Sequence, residues 1–521
     1  MNILIALFCV LCLTFILRGT YRLLVPSGLA TSGDAVVHLI IADGIRRNGH
    51  RIPDRFPEFL LSGPHNYPSF FHWLLSFIPK KTLERWEPFI GSFIEMVHNA
   101  FIFFACYYLA RRQGGDNPTL VGLMAAIMFA LTPLLVDHVG RVFLLSERPF
   151  GSLWGTVFVF FGLQYVVSSD FWFLAGAVVA TGIIFISSKF VAQTILFVSF
   201  IYSLLAWPPK IWLPIIVGFL AISLISRGYA LRVLTGHLRH LIFYKKFLLA
   251  NYLRPTSQYK DLFRSLVKGM RQPQVLIKAF RTNSLLKLFS MVPWVLVLFP
   301  FLLRNHEQLK SNPFLQHCLL WTISCVIILC IISFNGLRFL GEPERYLESA
   351  ILPIAFLTSL FLVQRRSNSD WVLFFTVALY ALMVFLMIFL KGRRNILWDV
   401  DQENLCDWLC EMKPSRILTI PLKAVCFLVY RTQHKGLSIF TNISDPSQQR
   451  QFRELCPILY PYPNSDLERL VEEYNLNFIV AHKPTLDALE RSGLGITYDF
   501  SLFEKSYENL SFVVYAFRGD S

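Results

Sequence analysis

Eleven apolar stretches alternate with polar ones along the first three quarters of the chain, at about 3–17, 86–110, 119–136, 149–167, 171–187, 190–207, 211–226, 286–303, 314–334, 347–363 and 371–390. A helix needs roughly 20 apolar residues to cross a bilayer. The pattern therefore predicts a polytopic α-helical membrane protein of about eleven spans. The apolar runs stop at KGRRNILWD, which divides the chain into a membrane part, 1–391, and a soluble tail, 392–521. In the tail, short β-type runs (ILTIPL, GLSIF, NFIVAH, FVVYAF) alternate with helix-like polar runs such as SDLERLVEEYN. That alternation predicts a small α/β domain.

Two long segments of the membrane part break the pattern. Segment 18–85 is too polar to span and too patterned to be a plain linker. Within it, Tyr67 to Pro79 is apolar but short, which suits an interfacial or re-entrant helix. Segment 227–287 places Leu231, Leu234, Leu238 and Leu241 on one helical face, and Leu262, Phe263, Leu266, Val267 and Met270 on another. Basic residues fill the remaining faces, as in helices that lie in the plane of a membrane surface.

Composition agrees with the hydropathy. Of 521 residues, 54% are hydrophobic and 16% charged, where a soluble domain carries about 25% charged residues. The first stretch has no basic n-region and no small-residue cleavage site after it, so an uncleaved first helix is expected. The net charge of +15 is concentrated, since 227–287 holds thirteen basic residues against Asp261 alone. In a membrane protein that excess points to anionic head groups or a polyanionic lipid, and not to nucleic acid. Six of the ten cysteines lie in apolar stretches, where Cys commonly acts as a small hydrophobe. Cys406, Cys410, Cys426 and Cys456 lie in the tail, without a zinc-type CxxC pair.

With eleven spans, four polar clusters fall on one side of the membrane. The first is SGDAVVH, with Asp34 and His38; the second is DHVGRVFLLSERP, with Asp137, Arg141, Glu147 and Arg148. The third is SSKFVAQ, with Lys189; the fourth is RFLGEPERYLES, with Arg338, Glu344, Arg345 and Tyr346. Ionisable groups at membrane depth cost about 2.5–3.5 kcal/mol each on insertion scales, and they pair or line a wet cavity. A carboxylate with several cations suits transfer from a phosphate-activated donor. The carboxylate takes a proton from the attacking hydroxyl, and the cations stabilise the departing phosphate. Each residue also has a structural reading. Asp34 suits a helix N-cap, Lys189 a snorkelling interfacial lysine, and Arg338 and Arg345 local ion pairs with Glu342, Glu344 and Glu348. His38, His65 and Tyr67 are candidate substrate-binding residues. Their histidines lack paired metal-ligand spacing.

The order of these parts resembles the GT-C superfamily of membrane glycosyltransferases, which use polyprenyl-phosphate-linked sugars. SGDAVVHLIIADGI and NYPSFFHWLLSFIP resemble that family's long first external loop. SSKFVAQ and GEPERYLESAILPIAF look like members that carry a Lys and an Arg-Tyr pair near the donor phosphate. The resemblance implies Asp34 as catalytic base and Lys189, Arg338, Arg345 and Tyr346 as donor-phosphate contacts. Asp137, Arg141, Glu147 and Glu344, from the second and fourth clusters, are further possible substrate-binding residues. The resemblance further implies inversion at the sugar and a glycan, lipid or protein acceptor. The site and tail would be extracytoplasmic, in a bacterial or archaeal plasma membrane. The acidic D-x-D or E-x-D motif that a subset of the family carries in a later external loop is missing, with Asp137-His138 the nearest approach, so no metal ligand is assigned and a divalent metal stays open.

Three rival readings remain. The buried charges suit a transporter or flippase of an anionic lipid-linked glycan, although no paired repeats are visible. An oligosaccharyltransferase using a lipid-diphosphate donor fits the same fold. So does a non-catalytic assembly subunit. Asn442-Ile-Ser444 and Asn509-Leu-Ser511 match the glycosylation sequon.

Overall fold

A computed structural model of the chain describes residues 2–24, 33–61, 63–137, 145–249, 258–365, 367–395, 400–438 and 443–517. They form two compact units. One comprises Met1–Val25, Trp86–Leu231 and Pro255–Asn395, and the other Pro26–Arg85, Arg232–Arg254 and Ile396–Ser521.

The first unit is helical. Each of the eleven apolar stretches falls on a helix or a bent helix pair. Among the described residues, 5 helices are long and apolar enough to cross a membrane, or up to 7 if each bent pair is one span. Four further apolar helices, Ile3–Gly19, Pro118–Leu131, Phe171–Ser187 and Lys189–Leu205, are shorter. The polar residues between stretches set the helix starts. Asn117 and Asn312 accept backbone N–H groups at the heads of Pro118–Leu131 and Pro313–Ile332, each with Pro in the first turn. Helix Ile351–Arg365 is buried from Ile351 to Val363 and forms the centre of the unit. It packs against Pro118–Leu131.

Buried polar groups in this unit pair across helices. Trp294 Nε1 donates to Thr132 Oγ1 at 2.9 Å, and Asn99 Nδ2 to Thr14 Oγ1 at 2.7 Å. Tyr202 Oη and His317 Nδ1 are 2.7 Å apart. Such pairs satisfy donors that lipid cannot.

The second unit is built on a five-stranded sheet of order β2-β1-β3-β5-β4. Its strands are β1 (Arg416–Ile420), β2 (Lys435–Gly436), β3 (Phe478–His482), β4 (Phe503–Glu508) and β5 (Phe512–Phe517). β1 runs parallel to β2 and β3, and β5 runs antiparallel to β3 and β4. β1 lies buried from its second residue on. β4 is an edge strand whose exposed Glu504 and Lys505 discourage further pairing. The polar run FEKSYE gives it no apolar alternation.

Segment 33–85 is part of this same unit. Leu60 N donates to Gly436 O, and Gly436 N to Glu58 O, each at 2.9 Å, so the loop extends the sheet past β2. Asn66 Nδ2 reaches Ser444 Oγ at 2.7 Å. Phe243 and Leu61 enter the core with Leu418, Phe452 and Ile479. The apolar run from Tyr67 yields the short helix Phe70–Ser76. All ten cysteines are free. Asn442 lies outside the described residues. Asn509 shapes the β4–β5 turn, accepting from Ser511 N and Phe512 N and donating to Asp401 O.

Candidate active site

Within the helical unit, the helices formed by the apolar stretches 171–187 and 190–207 meet at Ser187–Ser188. Ser188 caps the next helix, whose first residue is the half-buried Lys189. The sequence permits close approach here. Gly151 and Gly155 form a G-x-x-x-G pair on helix Arg148–Ser168. A Cβ on Gly151 would meet Ser188 Cβ at 2.5 Å, and one on Gly155 would meet Val191 Cγ1 at 2.9 Å. That motif was the available signal for the junction's surroundings.

The fourth cluster lies against the same helix. It folds as two 3₁₀ segments, Asn335–Leu340 and Pro343–Ala350, joined at Gly341 with φ +111°. That backbone favours glycine, and a Cβ there would lie 3.2 Å from the Phe190 ring. Gln193 Nε2 donates to Leu340 O at 2.7 Å, and Tyr346 Oη donates to the same carbonyl at 3.0 Å. Tyr346 is fully buried beside Phe190 and Phe197. Its hydroxyl, also bonded to Gln193, holds the bend in place.

Arg345 precedes Tyr346 on the second 3₁₀ segment and meets Phe190 as well. Its guanidinium lies 5.4 Å from the Phe190 ring centroid, a cation–π arrangement. Its Nε is 2.7 Å from Glu342 Oε2, and Arg148 and Glu348 are its further charged neighbours. Arg345, Phe190, Ser152, Thr194 and Glu348 line a narrow cleft. Glu344, beside it in sequence, is buried and receives Lys287 Nζ at 2.6 Å. Arg338 is half-exposed and makes no ion pair among the described residues. Glu147 is buried at the head of Arg148–Ser168. Arg141 lies outside the described residues. Asp137 ends helix Leu134–Asp137 with its side chain undescribed.

The other unit holds the first cluster. Asp34 stands in the first turn of helix Gly33–Arg47, and its side chain is undescribed. One turn on, His38 Nδ1 is 2.7 Å from His72 Nε2, with the rings stacked. Tyr67 lies edge-on to His72, 5.8 Å away. His65 is 1% exposed. Its Nε2 is 2.7 Å from Ser69 Oγ, which donates to Tyr67 O, so Nε2 carries the proton. Burial first, and then the Arg232 charge, lowers the His65 pKa to about 3, with Asp54 opposing. Arg232 pairs with Asp54 at 2.9 Å. His72, which is not among the candidate site residues of the sequence, thus completes a histidine–tyrosine cluster. Among the described residues no group of three or more His, Cys, Asp or Glu is arranged to hold a metal ion.

Comparison with solved structures places this architecture. The chain superposes on the oligosaccharyltransferase of Archaeoglobus fulgidus tethered with an acceptor peptide, with TM-score 0.58 and 11% identity. The match covers 92% of this chain and 69% of that one. It matches ArnT from Cupriavidus metallidurans with TM-score 0.53 and 11% identity, covering 98% and 97% of the two chains. Both are GT-C superfamily membrane glycosyltransferases. This chain has the GT-C fold. With its apolar helices, that fold makes it an integral membrane protein. No protein-family model and no curated protein sequence matches it. The likeness therefore lies in the backbone path, and the roles of the side chains rest on their own geometry.

Proposed function

We propose that the protein is a membrane glycosyltransferase that moves a sugar from a polyprenyl-phosphate carrier to an acceptor hydroxyl. The observation that carries this reading is Arg345. A GT-C chain brings a guanidinium to a cleft beside a helix that begins with Lys189, amid apolar helices where an unneeded charge would be costly. Arg345, Lys189 and Arg338 bind the departing lipid phosphate. Tyr346 and Gln193 act by fixing the bend that presents Arg345. Asp34, in the first turn of its helix, removes the acceptor proton. The sugar carbon is attacked once, so its configuration inverts. A single displacement needs no covalent intermediate.

The neighbours support the class of partners. An archaeal relative in fold, the oligosaccharyltransferase AglB of Archaeoglobus fulgidus, has been seen in complex with an inhibitory peptide and a dolichol-phosphate. A lipid phosphate and a glycan, lipid or protein acceptor are the corresponding partners here, on the extracytoplasmic side. That neighbour also favours a second reading, an oligosaccharyltransferase with a diphosphate donor.

The test uses the full chain in liposomes with a polyprenyl-phosphate sugar. Asp34→Asn should lower turnover by about 10²–10⁴-fold, the usual weight of general base catalysis, while donor binding persists. Unchanged turnover would remove Asp34 from this role. Transfer only from a diphosphate donor, abolished by a metal chelator, would select the second reading. Lipid movement without a new glycosidic bond would select a transporter.

A further inference from the structure

Helices Gln258–Gly269 and Pro273–Thr282 form a hairpin on the helical unit. Its base is stapled. Asn283 Nδ2 donates to Gln258 O at 2.7 Å, and Ser284 N to Gln258 Oε1 at 2.8 Å, both buried. Two further contacts fix its level. Tyr259 Oη donates to Cys330 O at 2.7 Å, near the end of helix Pro313–Ile332. Arg281 Nη2 lies 3.4 Å from Met387 Sδ, near the end of the apolar run Asn368–Leu390. Both anchors sit where spans stop, so the hairpin lies at the level of the membrane surface.

The first helix has three faces. Gln258 and Gly269 are buried against the protein. Phe263, Leu266, Val267 and Met270 follow the i, i+3, i+4, i+7 rule and are 72%, 45%, 46% and 81% exposed. Lys260, Arg264, Lys268 and Arg271, spaced four, four and three apart, form an exposed cationic stripe about a quarter turn away. Lys278 adds an exposed charge on the second helix. Lys268, Arg271 and Lys278 make no ion pair among the described residues. An apolar stripe beside a cationic one matches a bilayer surface, with acyl chains on one side and head groups on the other.

We infer that this hairpin is a docking surface for the anionic phospholipids of the surrounding bilayer. The cations run from Lys260 along roughly 14 Å of helix to Gly269, with Arg271 in the turn that follows. A single phosphate is held by donors that converge. A stripe of this length suits several head groups side by side. The occupant is therefore bulk anionic lipid, distinct from the one lipid-linked donor assigned to Arg345.

The experiment is hydrogen exchange and lipid analysis on the full chain in nanodiscs of phosphatidylcholine alone or mixed with phosphatidylglycerol. With phosphatidylglycerol, exchange across 258–282 should slow several-fold and retained lipid should be enriched in it. Each cation near the surface contributes about fivefold to that preference at low salt. A K268Q/R271Q/K278Q variant should lose tenfold or more of the enrichment and all of the added protection. Unchanged protection in helix Ile351–Arg365 shows that the variant is folded. Equal exchange in the two nanodiscs would overturn the inference. So would full enrichment in the variant, or displacement of all bound phosphatidylglycerol by one equivalent of polyprenyl phosphate.

Discussion

Helices Pro343–Arg365 and Asn368–Leu390 are consecutive, and the second is the more apolar, yet 89% of the apolar 18-residue stretch of the first is buried and only 28% of that of the second. Phe356, Leu360 and Phe361 on the first are fully buried. Val372, Phe375, Leu379 and Met383 on the second, spaced three and four apart, are half or more exposed. In a bilayer the lipid is as apolar as a leucine side chain, so hydrophobicity does not drive one helix inward. Packing does, together with the polar groups a helix must satisfy. The inner helix begins with the segment that carries Arg345, Tyr346 and Glu344, and these need protein partners. The outer helix has its polar residue at its head, where Asp370 pairs with Arg304 at 2.7 Å and Arg365 at 3.2 Å.

Breaking this contrast should be most visible in the packing. Phe356→Ala leaves a cavity beside Phe314 and should cost about 3–5 kcal/mol. Phe375→Ala, facing lipid, should cost less than about 1 kcal/mol, because lipid refills the space. Unfolding in detergent or bicelles measures both. Equal costs would mean that the outer helix is covered by protein. A comparable effect is expected on chemistry. Arg345→Gln should lower turnover about 10²–10³-fold, the scale for losing one donor to a developing anion. The same change at Lys391, past the apolar part of the outer helix, should leave it untouched.

Smaller effects sharpen the same contrast. Asp370→Asn removes a buried carboxylate from two guanidiniums that retain access to water. It should cost about 1.5–3 kcal/mol, the value of hydrogen bonds to charged groups, read from unfolding or from the loss of the outer helix's protection. The pH dependence isolates the other unit. The buried His65 stays neutral to about pH 3, while an unfolded histidine binds a proton near 6.5. Its contribution is complete above pH 6.5 and is lost as pH falls toward 3, by up to about 1.4 kcal/mol per pH unit. His65→Gln, which keeps a donor for Ser69, should flatten that decline relative to the parent in melting temperatures taken between pH 7 and 4.

Much of the helical unit was legible from hydropathy, because a bilayer demands long apolar runs and the runs became helices or bent helix pairs. The crossings themselves were less legible, since several of these helices are short or bent. In the tail, strands Arg416–Ile420, Phe478–His482 and Phe512–Phe517 matched their apolar runs. Strand Phe503–Glu508 escaped notice, because an edge strand needs no apolar face. Candidate residues were found by type, and geometry then separated them. Arg345 lines a cleft, whereas Tyr346, its neighbour in sequence, is committed to a backbone carbonyl. His72 gained weight only through His38, 34 residues earlier.

The sequence by itself determined a polytopic membrane protein with a small α/β tail and a concentrated basic segment. Local periodicity and composition encode those features. The tertiary structure decided that the loop 33–85 and the tail share one sheet-based unit, and that the less apolar of two adjoining helices is the central one. It also decided that Phe190 faces Arg345, and that Gln193 and Tyr346 hold the bend at Gly341 through the Leu340 carbonyl. Each depends on contacts between residues far apart in the chain, such as Asn66 with Ser444. Such contacts leave no periodic trace in either segment, because each side satisfies its polar groups and fills its space only when the other is present.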